Sequence, residues 1–323
     1  MTSPEPTPSD LIPSERMQWL LEKLAMEDAG LGDPTQLSPV EGRALAEQTN
    51  QRWNTDLPEM TSTDFAVPAS EGHSIECRLL SPSNANGLIM FIHGGGWALC
   101  SRDTHERAAR LLGLESGAHV LTFDYRLAPE APYPDGLKDC LTVWEAILGG
   151  HDKLRDCGRP SAVAGDSAGA NLALSLLLSL QTDGKTLPDA ALLFYGVYDA
   201  NFQTVSYCDQ RDGPGLTREK MKRYWDWYVA KTDLRSTPLV SPMQASDAQL
   251  LALPPLFLNA AAIDPLRSDT ENLVRRLRSL GRTDPYILYP GVVHGFMQMS
   301  LELPEARLAA KEAGRAFREL TGN

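Results

Sequence analysis

Ser167 stands in Gly165-Asp166-Ser167-Ala168-Gly169, a Gly-x-Ser-x-Gly pattern. A hydroxyl is a weak nucleophile unless a base takes its proton and an acid fixes that base's tautomer. The pattern acquires meaning from its flanks. The apolar run Ala162-Val163-Ala164 precedes it, and a helix-forming stretch from Ala168 to Leu180 follows. A strand turning sharply into a helix strains the serine, and only small neighbours fit where the two elements cross. Such a turn would lift the Ser167 hydroxyl clear of a sheet at a helix N-terminus.

Chain order then selects the base. Five histidines (His73, His93, His105, His119 and His151) precede the serine, and only His294 follows it. On a sheet carrying nucleophile, acid and base in that order, His294 is the base. It sits in Pro290-Gly291-Val292-Val293-His294-Gly295-Phe296, read as a loop after a predicted strand, Tyr286–Tyr289. The acid should end the preceding strand. Leu256–Ala260 runs through Ala261-Ala262-Ile263 into Asp264-Pro265, so Asp264 is expected there. An aspartate before proline also commonly heads a turn. Asp269 falls inside the next predicted helix and Asp284 precedes its strand, which leaves both poorly placed to compete.

His93-Gly94-Gly95-Gly96-Trp97 follows the predicted strand Leu88–Ile92. Three glycines leave backbone N–H groups open to close approach, at an entropic cost. A generic flexible loop is the plain alternative. A phosphate cradle is another, but no Walker Lys-Ser/Thr follows and no G-x-G-x-x-G is completed. Upstream of the nucleophile, the loop suits an oxyanion hole, with the Ala168 N–H as a further donor. The charges of Asp124-Tyr125-Arg126-Leu127-Ala128-Pro129-Glu130 are expected to pair beneath this loop in a structural role. No His-Glu-x-x-His and no Cys/His spacing points to a metal, and no cofactor is expected.

The elements that must hold these residues follow a strand, loop, helix rhythm. Predicted strands lie at 63–68, 74–80, 88–92, 120–125, 161–164, 190–195, 256–260 and 286–289. Predicted helices lie near 103–115, 135–149, 168–181, 268–280 and 303–319. Short, near-continuous apolar strands alternating with helices predict an α/β protein, its eight-stranded, mostly parallel sheet covered on both faces. Two regions stand apart. Residues 1–55 carry an amphipathic stripe (Met17, Leu20, Leu21, Leu24) and a second helical stretch from Val40 to Trp53. Residues 199–253 show no strand but an aromatic helical run, Tyr224, Trp225, Trp227 and Tyr228. A stretch that long is more than a plain loop. It is expected to cover the sheet's active edge, together with 1–55. The alternative is an ordinary buried helix in the core layer. The core itself is expected over 56–198 and 254–323.

Composition narrows the class. The 323 residues are 42% hydrophobic and 22% charged, with 25 Gly and 23 Pro, which excludes a disordered or collagen-like chain. The net charge of −12 argues against nucleic acid as a partner. Five cysteines without a C-x-x-C pair read as reduced thiols. The first ten residues lack the basic, then apolar, build of a signal peptide, and no apolar run is long enough to span a membrane. A soluble, cytoplasmic protein is expected, monomeric or homodimeric, acting on a small molecule.

His93-Gly94-Gly95-Gly96, Tyr125-Arg126-Leu127-Ala128-Pro129-Glu130, Gly165-Asp166-Ser167-Ala168-Gly169, Asp264-Pro265-Leu266 and His294-Gly295-Phe296 together resemble the hormone-sensitive-lipase (GDXG) family of α/β-hydrolases, over roughly residues 60 to 320. The wider layout is similar to the bacterial acetyl esterase branch, including Arg52-Trp53-Asn54, Pro58-Glu59-Met60, Asp103-Thr104-His105 and Tyr195-Gly196-Val197-Tyr198. The resemblance implies an α/β-hydrolase fold with a helical cap from the N-terminus and an internal insertion. It further implies a Ser167, Asp264 and His294 triad, an oxyanion hole of Gly94, Gly95, Gly96 and Ala168, and hydrolysis of short-chain esters, acetyl to butyryl. A longer-chain lipase or an amidase could use the same triad. A non-catalytic ligand receptor on this fold would have lost the base or the nucleophile, and this chain keeps both. Two positions depart from many members: Ala262 where they carry Glu, and Ser268 where they carry an acid. Both bear on the support around Asp264.

Overall fold

Alternating apolar strands give the sheet two apolar faces, and helices cover both. The computed structural model describes residues 6–322, so residues 1–5 of the expected N-terminal segment lie outside the described residues. The strands are β1 (Thr61–Pro68), β2 (Ser74–Ser81), β3 (Leu88–Ile92), β4 (His119–Phe123), β5 (Ser161–Asp166), β6 (Ala190–Phe194), β7 (Leu256–Ile263) and β8 (Tyr286–Val293). They lie in the order β1-β2-β4-β3-β5-β6-β7-β8. β1, β2 and β4 pair antiparallel, and every neighbouring pair from β4 to β8 is parallel.

The side-chain period of two divides each strand between two cores. Leu88, Met90 and Ile92 face one, with helices α4 (Asp135–Leu148), α5 (Ala168–Thr182) and α9 (Arg267–Ser279). Ile89 and Phe91 face the other, with α1 (Glu15–Glu27), α3 (Glu106–Ser116) and α10 (Pro304–Thr321). α5 is buried nearly all round, with Leu172, Leu174, Leu176, Leu177, Leu178 and Leu180 fully enclosed. Each such leucine contributes about 1.5–3 kcal/mol of burial, so this helix is firmly seated against the sheet's centre.

The strands that lead to the expected acid and base both run further than expected. β7 continues to Ile263 and β8 to Val293, so Asp264 and His294 directly follow their strands. The sequence reading ended β8 at Pro290-Gly291. Proline is tolerated there because β8 is an edge strand, and an irregularity in its pairing with β7 takes up the local distortion. Gly291 adopts φ +67° and exchanges two hydrogen bonds with the N-terminal segment: its N–H donates to Asp10 O and its carbonyl accepts from Ser14 N.

The N-terminal segment and the stretch after β6 touch each other. α2 (Pro39–Asn50) starts with a capping box of Ser38 and Glu41. α6 (Val205–Asp209), α7 (Arg218–Tyr228) and α8 (Asp247–Leu251) occupy the stretch without strands. From α7, Arg223 donates to Asp33 and to Thr35 Oγ1 at 2.8 Å. The stripe on α1 buries Met17 and Leu20 fully and Leu21 and Leu24 in part. No helix among the described residues is long and apolar enough to cross a membrane.

Closest packing occurs where β5 turns into α5. A Cβ on Gly169 would lie 2.0 Å from the Ile92 carbonyl oxygen of β3. Gly169→Ala is therefore expected to cost about 3 kcal/mol or more in urea unfolding, whereas Ala173→Gly, deeper in α5, should cost only about 1 kcal/mol plus the packing of one methyl.

Candidate active site

The serine turn is built by exclusion. A Cβ on Gly165 would lie 2.4 Å from the Gly169 carbonyl carbon, so both flanking positions must be bare for strand and helix to cross. Ser167 takes φ 55° and ψ −118°, a region costing an L-residue of order 1–3 kcal/mol. It occupies the N-cap of α5, yet its side chain caps no helical N–H. A serine there ordinarily would. The strained backbone aims Oγ elsewhere.

It aims at His294. Ser167 Oγ lies 2.9 Å from His294 Nε2, and His294 Nδ1 lies 2.7 Å from Asp264 Oδ2. Asp264 is fully buried, and its Oδ1 accepts the Leu266 N–H at 2.8 Å. The aspartate thus heads a turn before proline and faces the histidine at once; the two readings of Asp264 do not compete. An ionised carboxylate only accepts, so Nδ1 carries the ring hydrogen and Nε2 offers a lone pair to the hydroxyl. The competitors point elsewhere. Asp269 lies in α9 and accepts from Tyr198 N and Asp199 N. Asp284 accepts from Leu256 N and from Arg282.

The glycine loop leaves β3 beside the strand that leads to this serine, with one correction to the expected donors. Gly94 does not serve as an oxyanion donor: its N–H donates to Asp166 Oδ1 at 2.8 Å. The N–H groups of Gly95 and Gly96 donate to no other group among the described residues. Ala168 is the first residue of α5, where no preceding turn exists to accept its N–H. Gly96 has φ +61°, and a Cβ there would lie 2.3 Å from the Tyr224 ring of α7. The aromatic run of α7 therefore lies directly on the loop. Trp97 stacks on Tyr228 with ring centres 4.3 Å apart and meets Trp225 edge-on at 4.9 Å.

Beneath the loop lies a buried polar group that the sequence reading did not single out. Asp166 faces His105 Nε2 at 3.3 Å. Burial alone would raise its carboxyl, but the facing His105 and its hydrogen bond hold it below the usual carboxylate range. Burial and the neighbouring His105 push His93 down to about 3, so its ring is neutral. Its backbone carbonyl accepts the Tyr125 hydroxyl, beneath the loop as expected of that stretch. The charges of the same stretch, however, do not pair there. Arg126 pairs with Asp139 and Glu71, Glu130 with Arg43, and Asp124 with Arg102. Arg126 is instead drawn to Asp139, a buried carboxylate of α4 that would be costly to leave without a cation.

Support for Asp264 also differs from the expectation at the two departures. Ser268 accepts from Ser206 N, while Ser206 Oγ accepts from Ser268 N and donates to Pro265 O at 2.6 Å. Arg267 donates to the Ala262 carbonyl. Asn171 Nδ2, fully buried, bridges Val197 O and Val240 O at 3.0 Å each. Asn171 was not singled out from the sequence, where its one signal is a large polar side chain in the mostly apolar first half of α5. Among the described residues, no three His, Cys, Asp or Glu side chains gather as a metal site would require.

Comparison with known proteins agrees with this fold. A family described as alpha/beta hydrolase fold matches residues 89–298. The acetyl esterase of Salmonella schwarzengrund is 32% identical over 270 residues, 82% of each chain. Among solved structures, a thermostable esterase from Pseudomonas putida superposes with a TM-score of 0.88 at 31% identity, covering 98% of this chain and 99% of that one. An esterase from Pyrobaculum calidifontis gives 0.86 at 27% identity, covering 95% and 99%.

The strain at position 167 is separable from the hydroxyl. Ser167→Gly should be more stable than Ser167→Ala by about 1 kcal/mol in thermal or chemical unfolding, since glycine alone takes this φ freely. Equal stabilities would show that the turn is not strained.

Proposed function

The chain belongs to the alpha/beta-hydrolase-fold family, in its hormone-sensitive-lipase-like (GDXG) group, and on that premise we propose that it is a serine carboxylesterase cleaving small esters of short acyl chains, acetyl to butyryl. The observation that carries the reading is the unbroken hydrogen-bonded line Ser167 Oγ, His294 Nε2, His294 Nδ1, Asp264 Oδ2.

Ser167 Oγ attacks the ester carbonyl as His294 Nε2 takes its proton. Asp264 holds the imidazole in the required tautomer and stabilises the imidazolium that forms. The carbonyl oxygen becomes an anion facing the N–H groups of Gly95, Gly96 and Ala168. One such donor is worth about 2.7–4 kcal/mol to the transition state. The alcohol leaves with the proton from His294, and the acyl group stays on Ser167. Water then attacks, its proton passing to His294, and the carboxylic acid departs as Oγ regains a proton. No step requires a metal.

Segments 1–55 and 199–253 form a cap in this reading. Their contacts with the glycine loop, Tyr224 on Gly96 and Arg43 Nε on the Ala98 carbonyl at 2.9 Å, support it. The preference for short acyl groups rests on two things. The aromatic rings of Trp97, Trp225 and Tyr228 are packed against one another and buried beside the loop, and the curated relatives are named acetyl esterases. Each methylene that enters an apolar groove gains roughly 0.8 kcal/mol. An open groove therefore gives kcat/KM rising with chain length, and a closed pocket gives an early maximum.

With nitrophenyl esters from acetate to laurate, kcat/KM should peak between acetate and butyrate and then fall. Laurate cleaved faster than butyrate would favour the lipase alternative, and anilide cleavage at comparable rates the amidase one. Ser167→Ala should lower turnover by roughly 10⁴-fold or more with the fold intact; wild-type rates in a folded variant would remove the mechanism. A phosphonate ester should add one equivalent to Ser167, read by intact mass, and EDTA should leave the rate unchanged.

A further inference from the structure

We infer that His105 is a positioning residue for the oxyanion donors: it holds Asp166 beneath the glycine loop and ties that loop to the turn carrying His294. The inference rests on the esterase reading above. His105 stands at the start of α3, in a different part of the chain from all three members of the proposed triad, and is 1% exposed. Its ring reaches three segments. Nδ1 lies 2.8 Å from Thr104 Oγ1. Nε2 lies 3.3 Å from Asp166 Oδ1, on the residue before the nucleophile. Nε2 also lies 2.7 Å from the side-chain amide of Gln298, in the short turn Phe296–Met299 after His294. The same Asp166 Oδ1 accepts the Gly94 N–H, at the start of the glycine loop.

The ring's hydrogen can be assigned from its neighbours. An ionised carboxylate offers lone pairs only, so Nε2 must donate. The Gln298 atom facing it is then the amide oxygen, which in the opposite amide orientation is buried with no partner. Among the described residues, no Lys or Arg lies within ion-pair distance of Asp166, and His105 is the side chain with a ring nitrogen facing it. The Tyr195 hydroxyl and the Gly94 N–H complete its shell.

Removing the imidazole leaves a buried carboxylate short of a donor, a costly state that Asp166 escapes by turning or taking up a proton. Either change releases Gly94, and with it the position of Gly95 and Gly96, one and two residues further on. Misplaced oxyanion donors weaken the transition state more than the bound ester, so kcat should fall while KM holds. A role in folding alone would lower the amount of active enzyme and leave the properties of each active site unchanged.

The test measures kcat and KM for nitrophenyl acetate per active site, counted by phosphonate titration, and the inhibition constant of a trifluoromethyl ketone, which Ser167 converts to an oxyanion adduct. His105→Ala should lose about 10- to 100-fold in kcat, with KM within about threefold, and lose ketone affinity in parallel. His105→Gln, whose amide nitrogen can reach Asp166, should recover most of both. Wild-type kcat in His105→Ala, ketone affinity unchanged while kcat falls, or a Gln variant no better than Ala would each overturn the inference. Should His105→Ala not fold, Gln298→Ala decides: kcat and ketone affinity must fall together by several-fold, and no change in either overturns it. An unmodified protein without ester turnover would overturn the esterase reading itself, and this inference with it.

Discussion

The site depends on one close approach, that of the turn between β5 and α5 to the end of β3. Gly169 permits it, with the Ile92 carbonyl as its limit, while Gly165 lets α5 cross its own strand. Because β3 and β5 are neighbours in register up to Ile92 and Gly165, the glycine loop and Ser167 leave the sheet side by side. A larger residue at Gly169 would push the start of the glycine loop away from the serine turn before it disturbed any side chain with chemistry. The buried length of α5 transmits that constraint to the core, since the helix cannot slide back to relieve it.

Hydrogen-bond accounting organises the rest. Every carboxylate near the serine has a distinct set of donors: Asp264 has Leu266 N and His294, Asp269 has two backbone N–H groups, and Asp166 has Gly94 N and His105. Burial still raises the Asp269 carboxyl well above the usual carboxylate range, whereas the facing His105 holds Asp166 below it. The allocation of the Gly94 N–H to Asp166 is informative because three consecutive glycines look equivalent in sequence. Only the first is occupied by the protein itself.

Much of this was legible before the structure. The eight strands follow from short apolar runs, and chain order alone isolates His294 among six histidines. Ser167 is marked by the strand, motif, helix context. What could not be read were relations set by tertiary partners. The end of β8 was misplaced because Pro290-Gly291 is a turn signal locally, while an edge position and the N-terminal segment accommodate it as strand. Arg126 and Glu130 sit in an ordered stretch beside the loop, but their partners Asp139, Glu71 and Arg43 come from three other elements. The Ser206 and Ser268 pairing likewise joins residues with no shared pattern. His105 was one histidine of five set aside by chain order, and that reasoning finds a base without finding what holds the donors.

The seat of the N-terminal segment on β8 bears on self-association. β8 ends the sheet, and an open edge strand is a template onto which another chain can add. At its irregular point Pro290 has no N–H to offer, and both backbone groups of Gly291 are already bonded to Asp10 and Ser14. The first described residues thus act as a stopper that interrupts the edge where it would otherwise propagate. Loss of residues up to Ser14 would free that ladder, so the earliest consequence of clipping the N-terminus would be colloidal: edge-to-edge aggregation of a chain whose core and serine turn remain intact.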